Sequence, residues 1–475
     1  MSMRFVMGQT YDRRRPVVGC IFVAEQWVNF GSDLHLELSG TGARRAALIR
    51  ALRDAVRTGR LAPGLRLPPY RSLAADLGLA RNTVADAYAE LVAEGWLTAR
   101  QGSGTRVARR VEPLKPARPK PPARPPGLVH NLRQGQPDAA SFPRAAWLAS
   151  ARRALTAAPN EAFGPGDPQG RPELRRALAD YLARARGVRT DPEHIVICSG
   201  FAHALRLLFG GVLSGPVAVE SYGLGFHRSL LPATVPLTLD EHGARTDELA
   251  GVTTAVLTPA HQFPTGGPLH PERRAAAIGW GGLVVEDDYD GEFRYDRKPV
   301  GAMQGLAPDR VLYAGSVSKS LSPAVRLGWM VVPDHLLDDV IAVKGEREAW
   351  ASVLDQLTLA DLIDSGGYDK HVRRMRQHYR RRRDQLVAVL AERAPHVVAT
   401  GMAAGLHAVL RLPPGTEQST VQAAAWQGLA LDGLASFRHP AATMPATDGL
   451  VVGYATPPDH AYSAALDALW RALPS

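Results

Sequence analysis

Two cysteines in 475 residues, Cys20 and Cys198, are too few for a disulfide framework and cannot complete a metal site alone. Both read as incidental, and no metal is expected. Long apolar runs are also missing: none reaches the roughly 20 residues that a membrane-spanning helix needs. The first twenty residues contain Arg13-Arg14-Arg15, but no apolar stretch with a small-residue cleavage site follows. These absences argue against a disulfide-stapled secreted chain and against a membrane protein, and make cytoplasmic the expected location. The length allows two or three domains and a large core.

Negative charge is scarce at one end only. Residues 1–127 hold 21 Lys and Arg against 10 Asp and Glu, whereas the remainder holds 35 against 36. A surplus confined to the first quarter suits attraction to a phosphate backbone. Residues 1–42 read as an N-terminal extension, the first 32 without helical or strand period. Residues 43–110 form a helical block ending in a glycine-rich hairpin. Residues 111–127, VEPLKPARPKPPARPPG, carry seven prolines and four basic residues. Such a stretch cannot build a core and reads as a semi-extended linker. From residue 128 onward, apolar strand-like runs alternate with helical patterns. The strand candidates are Ile195–Cys198, Val217–Glu220, Thr254–Thr258, Leu283–Glu286, Val311–Ala314 and Trp329–Val332. That alternation predicts an α/β domain with a mostly parallel sheet.

Within the basic block, Leu48, Leu52, Ala55 and Val56 share one helical face, Leu73, Ala74 and Leu77 a second, and Val84, Ala87, Tyr88, Leu91 and Val92 a third. Three such faces can close a small core. Arg81, Asn82 and Thr83 then stand at the exposed start of the third helix, where a recognition helix meets base edges and phosphates. Thr83 reads equally as a helix cap. The segment Trp96 to Val107 reads as a two-stranded wing with Gly102 near its tip. The text GRLAPGLRLPPYRSLAADLGLARNTVADAYAELVAEGWLTARQGSGTRVA resembles the winged helix-turn-helix of the GntR family. The resemblance implies double-stranded DNA as partner, with Arg71 and Arg81 contacting it and Gly102 reaching the minor groove. Pro69-Tyr70 replaces the small hydroxyl pair common before that arginine.

The second block carries a different chemistry. Lys319 follows the apolar run Val311–Ala314, among Ser316, Ser318 and Ser320, with Arg326 seven positions later. A lysine just past a strand end suits Schiff-base attachment of pyridoxal phosphate, with Ser316 and Arg326 placed for its phosphate. Ligands in such sheets lie beyond the carboxyl ends of the strands. Val284-Val285-Glu286-Asp287-Asp288-Tyr289-Asp290 ends another strand in carboxylates, and a pyridine nitrogen needs one of them. Ser199-Gly200-Phe201 follows a third strand and opens a helix whose N–H groups suit an anion.

GSVSKSLSPAVRLG resembles the cofactor-lysine motif of fold-type I aminotransferases. VVEDDYDGEFRY resembles the matching motif of the MocR family, which fuses a GntR domain to an aminotransferase-like domain. LRQGQPDAASFPRAAW, GDPQGRPELRRALADYLARARGV and TPAHQFPTGGPLH extend the resemblance almost to the C-terminus. It implies that Lys319 carries pyridoxal phosphate, Asp287 meets the ring nitrogen and Tyr289 the ring oxygen. Asp288 and Asp290 are structural neighbours. Ser199, Gly200, Phe201, Ser316, Ser318 and Arg326 form the phosphate cup. It further implies a homodimer and, as effector, the cofactor itself, an amine or an amino acid. Arg438 is the candidate clamp for an effector carboxylate.

Three departures bear on mechanism. Phe263 stands in the Asn-Pro-Thr-Gly turn of ordinary aminotransferases and cannot donate to the ring oxygen. Pro165 replaces a tyrosine that reaches the partner subunit's phosphate. Ser221-Tyr222-Gly223-Leu224 replaces an acidic-Pro-x-Tyr turn, which leaves Tyr222 or Phe226 to cover the ring. The expectation is a regulator with little or no turnover. The alternatives are a working aminotransferase carrying a DNA-binding domain, and a DNA-binding protein that keeps this fold only for dimerisation.

Overall fold

The computed structural model describes residues 44–100, 104–108, 127–164, 166–295, 300–345 and 351–474. The extension 1–42, nearly all of the linker 111–127, Gly102 and Pro165 lie outside the described residues. The chain divides into two compact units, 1–123 and 124–475.

In the first unit, helices α1 (Arg44–Arg57), α2 (Tyr70–Asp76) and α3 (Arg81–Ala93) precede strands β1 (Leu97–Arg100) and β2 (Gly104–Val107). The three apolar faces meet as expected: Leu48, Leu52, Leu73, Val84, Ala87 and Leu91 are buried together with Leu97 and Val107 of the hairpin. The hairpin is antiparallel, Leu97 opposite Val107 and Arg100 opposite Gly104. Arg53 reaches Glu94 and Arg45 reaches Glu90, tying α1 to α3.

The second unit is built on a seven-stranded sheet. Its strands are β3 (Ile195–Cys198), β4 (Val217–Glu220), β5 (Thr234–Leu237), β6 (Thr254–Leu257), β7 (Leu283–Asp287), β8 (Val311–Ser316) and β9 (Gly328–Val331). Their spatial order is β3-β9-β8-β7-β6-β4-β5. The pairings from β8 through to β5 are parallel. β9 runs antiparallel to both its neighbours, so the sheet is mixed at that edge. The edge strand β5 is not marked by the apolar runs of the sequence, because Pro236 interrupts it and Val235 faces solvent.

Both faces of the sheet are covered, which is why its strands read as unbroken apolar runs. Ile195, Ile197, Tyr313 and Trp329 face one way, onto helices α4 (Pro172–Arg186) and α7 (Val353–Asp364). Val196, Cys198, Leu312 and Met330 face the other, onto α5 (Phe201–Leu207) and α6 (Asp334–Lys344). After the long helix α8 (Gly367–Arg393) comes a small antiparallel sheet. Its strands are β10 (Val398–Thr400), β11 (Ala408–Arg411), β12 (Asp432–Gly433) and β13 (Gly449–Val452), in the order β10-β11-β13-β12. Leu410, Leu450 and Val452 pack there against Leu386 and Leu390 of α8 and Leu466 and Leu469 of α9 (Asp459–Ala472). Among the described residues no helix is long and apolar enough to cross a membrane.

Candidate functional site

The carboxyl ends of β3, β4, β6, β7 and β8 open into one cavity of about 310 Å³. Such a volume is typical of small-ligand sites at this position in open α/β sheets. Its wall includes Ser199, Gly200, Phe201, Asp287, Tyr289, Ser316, Ser318, Lys319 and Arg326. Nine residues read from three separate stretches of sequence therefore share one wall. The sheet topology brings them together.

Asp287 is the last residue of β7, and its carboxylate is buried at the cavity floor. No described side chain or backbone N–H donates to that carboxylate. Burial and the neighbouring Asp288 push its pKa well above the usual range, and Lys319 opposes them. A buried carboxylate without a donor is costly unless a cation meets it. Asp288 and Glu286, its neighbours, are satisfied internally. Arg186 holds Asp288 at 2.6 and 3.0 Å and Tyr313 donates to it at 2.8 Å, while Glu286 accepts the N–H groups of Met303 and Gln304.

Lys319 lies in the turn after β8, and its Nζ donates to the Gly135 carbonyl. Burial lowers the amine's pKa, against the pull of Asp287 and Asp290. A depressed lysine pKa keeps more of the neutral, nucleophilic amine available.

Tyr289 is half-buried beside His261, whose ring stacks on it at 5.9 Å. His261 Nδ1 lies 2.8 Å from Asp290 Oδ2 and 2.9 Å from the Tyr289 hydroxyl. A carboxylate accepts more strongly than a phenol oxygen, so the Nδ1 proton points to Asp290. Burial and the neighbouring Asp290 raise the Tyr289 pKa, so the phenol holds its proton beside the cavity. Asp290, expected as a mere neighbour, is thus the residue that orients His261.

The anion end is made by close backbone approach. Gly200 has φ 111°, a conformation that favours glycine, and a Cβ on Gly328 would stand 2.7 Å from the Gly200 Cα. Arg326 adopts φ 55°, uncommon for a side-chain-bearing residue, and its Nη2 lies 3.5 Å from Ser199 Oγ. Ser316 Oγ accepts the Ser318 N–H at 3.4 Å. His203, further along α5, accepts the Ser199 N–H at 3.1 Å.

Phe263 is buried in the wall, edge-on to Tyr289 at 5.8 Å and to Phe437 at 5.4 Å. It offers no polar atom where a donor would stand. Tyr222 is also a buried wall residue, and its hydroxyl has no partner among the described residues. Phe226 lies on the wall but is 57% exposed. His407 completes this side; its Nε2 donates to the Pro264 carbonyl at 3.0 Å, and burial pushes its pKa down to about 3.

Arg438 is not on the cavity wall. Its Nη2 donates to the carbonyls of Ala442 and Met444, at 2.8 and 2.6 Å. Arg228 is on the wall, held by the carbonyls of Gly223, Phe437 and Arg438 without a carboxylate partner among the described residues. His261, Arg228 and His407 are not marked by the sequence pattern, because their role depends on contacts with residues distant in sequence. His261 occupies the same TPAHQFPTG text as Phe263.

The first unit places Arg71, Arg81 and Asn82 on exposed surface and Thr83 half-buried. Ala80, not Thr83, occupies the cap position of α3, and no side chain caps it. Arg81 stacks its guanidinium on Tyr70, 5.2 Å from the ring centre, and approaches the hydroxyl at 3.4 Å. Arg81 lowers the Tyr70 pKa by this contact. The substitution at Pro69-Tyr70 therefore supplies a platform that aims Arg81.

Comparison with known proteins follows the same division. Residues 44–107 match the family of bacterial regulatory proteins called gntR, and residues 129–215 and 280–443 match the aminotransferase class I and II family. The probable rhizopine catabolism regulatory protein MocR of Rhizobium meliloti is 32% identical over 86% of this chain and 89% of its own length. The pyridoxine biosynthesis transcriptional regulator PdxR of Corynebacterium glutamicum is 34% identical over 76% of this chain and 82% of its own. A kynurenine aminotransferase of Pyrococcus horikoshii shares the fold, with a TM-score of 0.65 and 24% identity over 73% of this chain and 90% of that one. A winged helix and an aminotransferase fold in one polypeptide, with relatives aligned across both, make the chain a member of the MocR family of GntR-type transcriptional regulators.

Proposed function

We propose that the second unit holds pyridoxal phosphate through Lys319 and uses it to sense the cofactor itself, an amine or an amino acid. The first unit would bind its DNA site through Arg71, Arg81, Asn82 and Thr83, with Gly102 entering the minor groove, and the protein would act as a homodimer. The observation that carries the reading is the Asp287 carboxylate, buried and without a donor, facing the same cavity as the Lys319 amine. A protonated pyridine nitrogen is the cation that would meet it. When bound, pyridoxal phosphate supplies an aldehyde that captures amines and a ring that withdraws electrons.

The chain's own residues then have distinct tasks. Asp287 holds a proton on the ring nitrogen, and Tyr289 donates to the ring oxygen. Ser199, Ser316, Ser318 and Arg326, with the N–H groups at Gly200 and Phe201, hold the phosphate. Tyr222, Phe263 and His407 keep water from that side. An effector amine competes with the Lys319 amine for the same position, and a displaced Lys319 is free to shift its contact with Gly135. DNA affinity responds only as far as the two arrangements bind the effector unequally.

The test is a visible absorption spectrum of the purified protein before and after borohydride, beside a Lys319→Ala variant. A band that reduction abolishes and the variant lacks supports the reading. No band after added pyridoxal phosphate overturns it. Turnover as an aminotransferase is the second reading, favoured by the joint presence of Lys319, Asp287 and Tyr289. Phe263 opposes it, and sustained conversion of an amino donor with a keto acid is what would establish it.

A further inference from the structure

The positive charge that the sequence concentrates before residue 127 reappears at one place in the second unit. Helix α8 carries nine Lys and Arg against three Asp and Glu. Helical geometry sorts them. Tyr368, Val372, Met375, Tyr379 and Leu386 are buried. Arg376 and Arg382 turn to structural work. Arg376 donates to the Glu292 carbonyl at 2.8 Å, and Arg382 donates to Asp459 and to the carbonyls of Tyr454 and Ala455.

Lys370, Arg373, Arg374, Arg380 and Arg381 are left on one exposed face, spaced by three, four and seven residues. Their ties are slight. Arg374 touches the Ser141 carbonyl at 3.4 Å and the His371 ring at 3.2 Å, and Arg380 lies 3.8 Å from Asp384. Among the described residues no carboxylate lies within ion-pair distance of Lys370, Arg373 or Arg381. Clefts flank the ridge on both sides. One runs along Arg373, Arg376 and Arg380, the other along Lys370, Arg374 and Arg381, where Arg144 adds to the wall. Like charges three and four residues apart disfavour a helix. A row of them with few counter-ions is poor design for a plain solvated face, and it complements a polyanion.

We infer that the α8 face is a second contact for double-stranded DNA, one that meets phosphates and reads no sequence. DNA is the polyanion that the family's winged helix already holds, and a tethered second contact meets it at a raised local concentration. Backbone contacts of this kind position a protein and set its salt dependence without adding base recognition.

The test replaces Arg373, Arg374, Arg380 and Arg381 together by Gln in the full chain, with the same four replaced by Lys as a second variant. Affinity is measured from 50 to 200 mM salt on a long duplex carrying the protein's own upstream region. It is repeated on a scrambled long duplex and on the shortest fragment the protein still recognises. Each lost phosphate contact removes about 0.9 from the slope of log affinity against log salt. If two of the four contacts form, the Gln variant's slope falls by about 1.8, and the native advantage shrinks about 12-fold across that salt range. The loss should be equal on both long duplexes, absent on the short fragment, and restored by Lys. An unchanged slope in a Gln variant that melts like the native protein overturns the inference. So does a variant whose only change is its sedimentation mass, which would make the face a protein contact.

Discussion

Replacing Asp287 by Asn should move two stabilities in opposite directions. Without ligand, the native carboxylate is buried, lacks a donor and has its pKa raised, chiefly by burial. A carboxylate whose folded pKa lies above its unfolded value holds its proton longer in the folded state. Its contribution is intact below the unfolded pKa, near 3.9, and is lost as pH rises through the folded pKa. At neutral pH the unliganded native protein carries that loss and Asn does not, so the unliganded variant melts at the same temperature or higher. With pyridoxal phosphate the order reverses, because Asn cannot hold a pyridinium. A hydrogen bond to a charged group contributes about 1.5–3 kcal/mol, so the dissociation constant should rise about 12- to 160-fold. At a ligand concentration of about 100 native dissociation constants, the native gain is about 2.7 kcal/mol. A 30-fold weaker variant keeps about 0.9 kcal/mol of it. The unit spanning Arg124–Ser475 loses roughly 0.7 kcal/mol per degree near its midpoint, so the ligand-induced shift shrinks by about 2–3 °C. Melting with and without ligand, across pH 5 to 8, reads both effects. Equal affinity for pyridoxal phosphate in the two proteins would refute the assignment of Asp287 to the ring nitrogen.

Three further outcomes are expected. His261→Asn or Asp290→Asn removes a partner of the Tyr289 hydroxyl, so the pH at which the visible band of the loaded protein changes should shift, and Tyr289→Phe should raise it; an unmoved midpoint in spectrophotometric titration counts against the relay. Arg81→Gln should weaken specific DNA binding by about 1–3 kcal/mol, with Tyr70→Ala giving a smaller loss in the same gel-shift series and no further loss in the Arg81→Gln background; fully additive losses in the double variant would show that the stacking aims nothing. Leu91→Ala opens a cavity in the first unit's core, where Leu91 is 1% exposed, and should cost about 2–5 kcal/mol. DNA binding should then fail at elevated temperature while the visible band stays intact, and simultaneous loss of both signals would contradict the division into two units.

Periodicity made most of this architecture legible. The helices of the first unit and six strands of the large sheet appear in the sequence because each is amphipathic or wholly apolar over its own length. What escaped depends on contacts distant in sequence. β5 is an edge strand whose Pro236 and exposed Val235 hide it, and β9 differs from its neighbours only in direction, which side-chain pattern does not encode. The four-stranded sheet after α8 is made of strands of two to four residues, too short to show a period. Lys319 and Asp287 stand out because each is an ionisable residue just past an apolar run, and Arg326 because it follows Lys319 by seven positions.

The relay behind Tyr289 and the wall around Tyr222 could not stand out in that way. His261, Asp290 and His407 become interpretable only when β6, β7 and β11 are laid side by side. That juxtaposition also changes how Phe263 reads. Taken alone, it is the loss of a donor to a ring oxygen. In the structure it packs edge-on to Tyr289, whose proton is held by burial and by Asp290. On the proposed placement, Tyr289 would be the remaining donor to a ring oxygen once residue 263 offers none. One donor in place of two would stabilise charge developing there less than two would. Such a site would favour capture of an amine over rapid turnover, in keeping with the proposed sensing role. Restoring the second donor with Phe263→Asn provides the decisive comparison. It should raise any half-reaction rate while leaving pyridoxal phosphate affinity within a few-fold. A rate unchanged by the substitution would place the limit on turnover elsewhere in the cavity.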